Sequence, residues 1–141
     1  MVIKCISIRP NVSQKELLPE AYRNADFHIT ENKEYLVLGI RFLLDSSVGR
    51  CSMVEISSDY GHLSSVPLFL FEIIDSSVSK YWKIKIFNEF TITLWPEAFY
   101  REYFHDDLSE NIEEVVNDFK RIKLLLEDEL KNPPISPPQF T

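Results

Sequence analysis

The stretch EYLVLGIRFLL, from Glu34 to Leu44, decides the fold because it carries apolar residues on both faces that a β-strand presents. Alternation gives one uniformly apolar face, which consists of Leu36, Leu38, Ile40, Phe42 and Leu44. The other face is mixed and consists of Tyr35, Val37, Gly39, Arg41 and Leu43. We predict a central strand with one face in the core and the other covered by a second element. Gly39 is predicted to mark a bend or a close approach by another element.

Other strand patterns flank this stretch, in VIKCISI (2–8), CSMVEIS (51–57), YWKIKIF (81–87) and FTITLW (90–95). Turn residues at 45–50 favour antiparallel pairing of the strands on either side. In the later pair, a two-residue turn at Asn88 and Glu89 would place lysines on the apolar face, so we predict a bulged or longer connection. Residues 66–74 favour a strand, although Pro67 also permits a short helix.

Two helical signals are present. Ser13 and Glu16 have the spacing of a capping box and predict one or two turns that end near Pro19. The clearest helix runs from Leu108 to Leu130, with apolar residues at spacings of three and four, preceded by a short helix or turn in PEAFYREYF (96–104). Asp106 and Asp107 are predicted to cap it, with Glu110 in its first turn. We expect its apolar stripe to cover the mixed face of residues 34–44, unless a partner protein does so.

These patterns predict the α+β class, with a bent antiparallel sheet or an SH3-like small barrel packed against a long C-terminal helix. The length of 141 residues fits a single globular domain, which we place at residues 1–131. Residues 132–141 contain four prolines and are predicted to form an extended or disordered tail.

Charge and composition bear on the partners. The chain has 15 basic and 22 acidic residues and a net charge of -7, which disfavours nucleic acid and anionic membranes and favours a basic partner. Ordinary solubility also accounts for such a charge.

The N-terminus has too short an apolar run for a secretory signal or a membrane span, and Cys5 and Cys51 show no disulfide or zinc spacing. We predict buried thiols and a cytoplasmic location, with the oligomeric state left open.

No catalytic, metal or cofactor motif is found in the sequence. The three glycines cannot form a phosphate-binding loop, and His28, His62 and His105 do not have the spacing of a metal pair. We therefore predict no enzyme activity, no cofactor and no metal. Two alternatives stay open: an enzyme that uses His62 or the cluster His105 to Asp107, and a nucleic-acid-binding barrel that uses Lys80, Lys83, Lys85 and nearby aromatic residues.

Acidic residues form the remaining signal, and they include Asp59, Asp106, Asp107, Glu110 and Glu114. Glu110 and Glu114, like Glu114 and Asp118, are like charges four residues apart, which costs a few tenths of a kcal/mol for each pair in a helix. A surface that keeps this repulsion is consistent with contact to a basic partner, and a solvated helix face is the simpler explanation.

Residues 27–110 resemble small bacterial immunity proteins that accompany polymorphic or contact-dependent growth-inhibition toxins. The similar parts are the T-x-x-K-x-Y pattern at Thr30, Lys33 and Tyr35, the D-x-G turn at Asp59 to Gly61, and LFEIID at 70–75. The resemblance implies a non-enzymatic cytoplasmic protein that binds a cognate toxin domain, often a cationic nuclease. It also implies aromatic anchors within an acidic rim, for which the candidates are Tyr60, Tyr100 and Tyr103.

Overall fold

The computed structural model describes residues 1–45 and 49–132 of the chain. The strands among these residues are β1 (Val2–Cys5), β2 (Glu34–Leu36), β3 (Gly39–Leu43), β4 (Ser52–Ser57), β5 (Leu63–Pro67), β6 (Phe71–Asp75), β7 (Trp82–Asn88) and β8 (Thr91–Pro96). The α-helices are α1 (Val12–Lys15), α2 (Phe104–Ser109) and α3 (Glu113–Lys131), and short 3-10 turns occupy Glu20–Tyr22, Leu68–Leu70 and Glu97–Tyr100. The predicted domain boundary falls at the end of α3, and the predicted tail lies outside the described residues except for Asn132.

The strands form two antiparallel sheets. The smaller sheet has the order β2-β1-β6, and the larger has the order β5-β4-β3-β8-β7. This confirms the predicted α+β class with antiparallel strands and a long C-terminal helix. The described strands do not close into a barrel, so the SH3-like architecture is not formed.

The stretch from Glu34 to Leu44 is divided between the two sheets, so the prediction of one continuous strand is wrong. Its first part is β2 and its second part is β3, and the amides of the two intervening residues bond in turn to the start of the smaller sheet and to β4 of the larger sheet. The Val37 amide donates to the Met1 carbonyl at 3.0 Å, and the Leu38 amide donates to the Glu55 carbonyl at 2.7 Å. The alternating pattern continues through this crossing, so it gives no sign that the pairing partners change.

Gly39 begins β3 at a point of close approach, as predicted. A Cβ atom at this position would lie 2.7 Å from Cδ1 of Trp95 and 3.1 Å from the carbonyl oxygen of Leu94. Both neighbours belong to β8, which pairs with β3. Only a glycine lets the indole of Trp95 lie against this part of the chain.

Helix α3 covers the opposite face of residues 34–38 from the one predicted. Leu38 belongs to a buried cluster with Val115, Phe119 and Leu126 of α3, and Leu36 packs against the same cluster. Tyr35 and Val37, by contrast, lie in the core between the two sheets. The chain crosses between the sheets at this point, so Leu36 and Leu38, which we assigned to the core face of the strand, turn towards the helix.

The predicted helix start at Asp106 and Asp107 is also wrong, because the helical region is broken into α2 and α3. Both aspartates lie within the first turn of α2, and Ile112 is the N-cap residue of α3. Between the helices, Asn111 has a left-handed backbone with a φ of 59°. Asparagine tolerates this conformation better than most residues, so it ends α2 at modest cost.

The β7–β8 hairpin has the predicted register. Ile84 pairs with Leu94 and Ile86 pairs with Ile92, and a bulge lies between Ile86 and Asn88. β7 is an edge strand, and its outer residues Ile84 and Ile86 are 69% and 80% exposed. The apolar face of the larger sheet therefore extends, at β7, beyond the part that packs against the smaller sheet.

Two local predictions are corrected. Residues 66–74 are neither one strand nor one helix, because the 3-10 turn Leu68–Leu70 separates β5 from β6. The capping box of α1 is formed by Asn11 and Gln14 rather than by the predicted Ser13 and Glu16. Both side chains bond to the backbone of the other residue, at 2.8 and 2.9 Å. Several pairs of polar residues in this stretch have the three-residue spacing of a capping box, and the helix is capped by the pair that begins directly after Pro10.

One ion pair is buried in the larger sheet, between β3 and β4. The Nε atom of Arg41 lies 3.3 Å from Oε1 of Glu55, and the Glu55 residue is only 3% exposed. Burial raises the pKa of Glu55, and the positive charge of Arg41 opposes that rise. The Arg41 guanidinium also donates through Nη2 to Ser65 of β5, so the pair connects three strands.

Both cysteines are free thiols. Cys5 is buried as predicted, whereas Cys51 is only half-buried, and burial raises the pKa of each. Among the described residues no helix is long and apolar enough to cross a membrane.

Candidate functional site

A pocket of about 650 Å³ lies between helices α2 and α3 and the turn that joins β4 to β5. Its apolar lining comes from Leu63, Leu108, Val116 and Phe119. Its polar lining comes from His62, Ser64, His105, Ser109, Asn111, Lys120 and Lys123. A volume of this size is typical of sites for small ligands or for a side chain of a partner.

The seven residues predicted from the sequence to bind a partner surround this pocket along the chain, although none of them lines it. Asp59 and Tyr60 immediately precede Gly61, which lines the pocket. Tyr103, Asp106, Asp107 and Glu110 lie in or beside α2, and Glu114 lies in the first turn of α3. Each is within two residues of a lining residue. The structure thus gathers two distant segments around one cavity, and whether they bind a partner stays a prediction.

Asp59 holds the turn after β4 against the loop that precedes β2. Its carboxylate accepts hydrogen bonds from the Thr30 hydroxyl at 2.6 Å, the Lys33 ammonium at 2.6 Å and the Tyr35 hydroxyl at 2.8 Å. These donors lower the pKa of Asp59 to about 2, and Lys33 and Thr30 contribute most. The residues of the T-x-x-K-x-Y pattern therefore converge on the aspartate of the D-x-G turn.

This network predicts acid sensitivity. A carboxyl whose pKa is lowered on folding stabilises the native state above its unfolded pKa, and this stabilisation is lost as the pH falls through the folded pKa. We expect Asp59→Asn to lower the free energy of unfolding by about 1 kcal/mol at pH 7, because solvent screens part of the interaction of this exposed residue, and by much less near pH 2. Urea denaturation at several pH values measures this. Glu20→Gln, at an exposed carboxylate with no ion pair among the described residues, is the control, and a loss for Asp59→Asn that does not change with pH would contradict the prediction.

Tyr60 and Tyr103 present aromatic side chains to solvent near the pocket. They are 68% and 65% exposed. The ring of Tyr60 also lies against the imidazole of His28, with 4.3 Å between the ring centroids. Exposed tyrosines combine a large apolar area with a polar hydroxyl, which is typical of protein-binding surfaces. Tyr100 is different, because its hydroxyl bonds to Thr93 Oγ1 at 2.7 Å and to the Lys83 carbonyl at 2.8 Å, so it serves the fold.

Backbone strain is concentrated around the same region. Of the four non-glycine residues in the described part of the chain that have a left-handed backbone, three are His28, Tyr103 and Asn111, with φ values of 53°, 62° and 59°. His28 contacts Tyr60, Tyr103 precedes α2, and Asn111 lines the pocket. For a bulky residue such as tyrosine this conformation is uncommon, and strained residues cluster at functional sites.

The like charges on α3 are compensated within the chain. The Arg101 guanidinium lies 3.4 Å from Glu114 and 3.9 Å from Asp118, and Arg121 lies 3.5 Å from Asp118. Glu110 is outside α3 and so has no helical i,i+4 relation to Glu114. The repulsion that we predicted for this surface is therefore largely absent, and it no longer supports a basic partner.

His105 is enclosed by aromatic rings rather than by catalytic partners. Its ring centroid lies 5.0 Å from that of Trp95, 5.5 Å from that of Phe104 and 5.8 Å from that of Phe99. Burial and the positive charge of Arg41 lower its pKa. Within residues 1–45 and 49–132, no group of three or more His, Cys, Asp or Glu residues is arranged to hold a metal ion. The cluster His105 to Asp107 is therefore not arranged as a metal site in this part of the chain.

The two tryptophans among the aromatic residues proposed for nucleic-acid stacking lie inside the protein, whereas Phe87 is 60% exposed. Trp82 and Trp95 are buried, and Trp82 donates its indole hydrogen bond to the Leu38 carbonyl at 2.9 Å. The ammonium of Lys85 lies 4.2 Å above the Tyr100 ring and 3.9 Å from Glu97. Neither indole can stack on a base, and Lys85 is already paired.

Sequence reasoning named His62 and His105 only as alternatives for an enzyme site, and it missed the other residues that line the pocket. Lys120 and Lys123 are four and seven residues after Val116, so they share one face of α3 with it. That spacing was visible in the sequence. Nothing in the sequence, however, indicated that His62 and Ser64, which lie more than fifty residues earlier, would face the same cavity.

The fold and pocket define an α+β protein with two antiparallel sheets and a helix-bounded cavity. Comparison with family models, curated proteins and solved structures finds no match to this chain.

Proposed function

We propose that this protein is a non-catalytic binding domain that acts as an immunity protein and neutralises a basic toxin domain by direct contact. The observation that carries the proposal is the pair of exposed tyrosines, Tyr60 and Tyr103, together with the carboxylates of Asp106, Asp107 and Glu110, all of which are within two residues of the pocket lining along the chain. We call these five residues the tyrosine–carboxylate surface. The resemblance of residues 27–110 to immunity proteins supports the proposal independently.

Physical chemistry favours a protein as the partner of this surface. Exposed aromatic side chains bury a large area on binding and lose little conformational entropy, so they often dominate the affinity. A net charge of -7 would speed the approach of a basic protein and repel nucleic acid. The partner would be a toxin domain, such as a nuclease, produced in the same cell, and the complex would form in the cytoplasm.

The test measures binding to the product of the adjacent gene by calorimetry and stopped-flow association. We expect Tyr103→Ala to weaken the complex by about 30-fold, because a central aromatic contact contributes about 2 kcal/mol. We expect the double change Asp106→Asn and Asp107→Asn to slow association mainly at low salt, because it removes steering charges.

The control is the double change Glu16→Gln and Glu20→Gln, which removes the same charge near α1. It should leave the affinity within about twofold, since these residues lie in another part of the chain. Absence of binding by any neighbouring gene product, or equal effects of the two double variants, would contradict the proposal.

A further inference from the structure

We propose that the pocket between α2, α3 and the β4–β5 turn binds a carboxylate that carries an apolar group, with Lys120 and Lys123 as its cationic contacts. This site is distinct from the tyrosine–carboxylate surface, whose residues do not line the pocket. The inference therefore does not depend on the immunity function.

The charge of the pocket is opposite to that of the chain. The protein has 22 acidic residues, yet within its described part no carboxylate lines the pocket, whereas two lysines do. Neither lysine forms an ion pair with a described residue, and the side chain of Lys123 makes one hydrogen bond to a described residue, a long contact of 3.5 Å from its Nζ to the Ser57 hydroxyl. Two ammonium groups three residues apart on one helix repel each other, and a bound anion removes that repulsion.

The remaining lining indicates what the anion is attached to. Leu63, Leu108 and Phe119 offer apolar surface beside the lysines, and the hydroxyls of Ser64 and Ser109 offer hydrogen bonds. A bare inorganic anion would leave the apolar surface without a contact. An organic acid with a ring or a branched chain matches both parts of the lining.

His105 also lines the pocket. Its Nε2 atom is inaccessible to solvent, so the lysines and not this nitrogen contact the carboxylate.

The carboxylate has two possible sources: a free organic acid, or an aspartate or glutamate side chain of a bound protein. The chemistry is the same in both cases, because the lysines contact the carboxylate and the apolar wall contacts what lies next to it. Phenylacetate represents the first source, and the blocked dipeptide acetyl-phenylalanyl-glutamate amide represents the second.

The test titrates each probe into the full chain and follows backbone amide signals by NMR. We expect phenylacetate to shift signals of residues 61–64, 105–111 and 116–123. The uncharged analogue phenylacetamide should bind about tenfold more weakly, as should phenylacetate to the double variant Lys120→Gln and Lys123→Gln. Lys131→Gln, at the end of α3 and outside the pocket, is the matched control and should leave binding unchanged.

The comparison of probes assigns the source, since tighter binding of the dipeptide indicates a protein side chain and tighter binding of phenylacetate indicates a free acid. Equal affinity for phenylacetate and phenylacetamide, unchanged binding by the lysine double variant, or the absence of shifts around the pocket with both probes would overturn the proposal. None of these results depends on a toxin, so failure here is distinguishable from failure of the immunity function.

Discussion

Arg41→Met is expected to lower the free energy of unfolding by about 3 kcal/mol at pH 7, because it leaves the buried carboxylate of Glu55 without its positive partner. The Arg41 Nε atom is 3.3 Å from Glu55 Oε1, and Glu55 is almost inaccessible to water. This loss is at the lower end of the range found when one partner of a buried ion pair is removed. The reason is that a quarter of the Arg41 side chain is exposed and its Nε makes no well-aligned hydrogen bond. Urea denaturation of the full chain measures the change.

The pH dependence identifies the cause. Burial raises the pKa of Glu55, and loss of Arg41 raises it further. The native state of the variant therefore holds a proton that the unfolded state releases, so its stability falls as the pH rises above the unfolded pKa of a glutamate, about 4.3. We expect the deficit of Arg41→Met to be small near pH 4 and largest at pH 7.

The double variant Arg41→Met and Glu55→Gln is the control for this result. It removes both charges, so most of the stability lost at pH 7 should return and the additional pH dependence should disappear. An equal deficit at pH 4 and pH 7 would contradict the electrostatic explanation and would assign the loss to the packing of the Arg41 side chain or its bond to Ser65.

Gly39→Val is the second change with a large expected effect, a loss of about 3 kcal/mol in the free energy of unfolding. A Cβ atom alone would lie 2.7 Å from Cδ1 of Trp95, and that indole is itself packed against Phe99 and Tyr100. The ring cannot retreat without disturbing the cluster that joins β8 to the helices. Thermal and urea denaturation measure the loss, and near-UV circular dichroism reports whether Trp95 moves.

Gly61→Ala provides the matched control. No atom lies within 4 Å of a Cβ at Gly61, but its φ of 78° is left-handed, so we expect a smaller loss of about 1 kcal/mol from backbone strain alone. Comparable losses for the two variants would contradict the steric explanation at Gly39. A Gly39→Val protein that does not fold can be replaced by Gly39→Ala, which makes the same contact with a smaller side chain.

Periodicity and turn chemistry were sufficient to predict most strands. The register of the β7–β8 hairpin followed from keeping Lys83 and Lys85 off the face of Ile92 and Leu94, and the structure has that register. The prediction succeeded because a shift of one residue moves every side chain to the other face. The same reasoning missed that β7 lies at an edge, since alternation does not indicate which strand is last in a sheet.

The candidate site was predictable only in part. The acidic residues near α2 and the Asp59 turn could be selected from the sequence, because charge and turn residues are visible locally. Their gathering around one pocket could not, because it depends on the packing of α2 and α3 beside the β4–β5 turn. The pairing of Arg101 with Glu114 and Asp118 was equally hidden, since the partners come from separate elements.

The sequence by itself determined the α+β class, the antiparallel hairpins and the long amphipathic helix. These features depend on side-chain alternation and on local backbone chemistry, which neighbouring residues specify. Only the tertiary structure decided that residues 34–44 serve two sheets, that α3 covers Leu36 and Leu38, and that two lysines share a pocket with His105. These features depend on which distant apolar surfaces pack together and exclude water. The hydrophobic effect is non-directional, so a local pattern of apolar residues does not identify the surface against which they are buried.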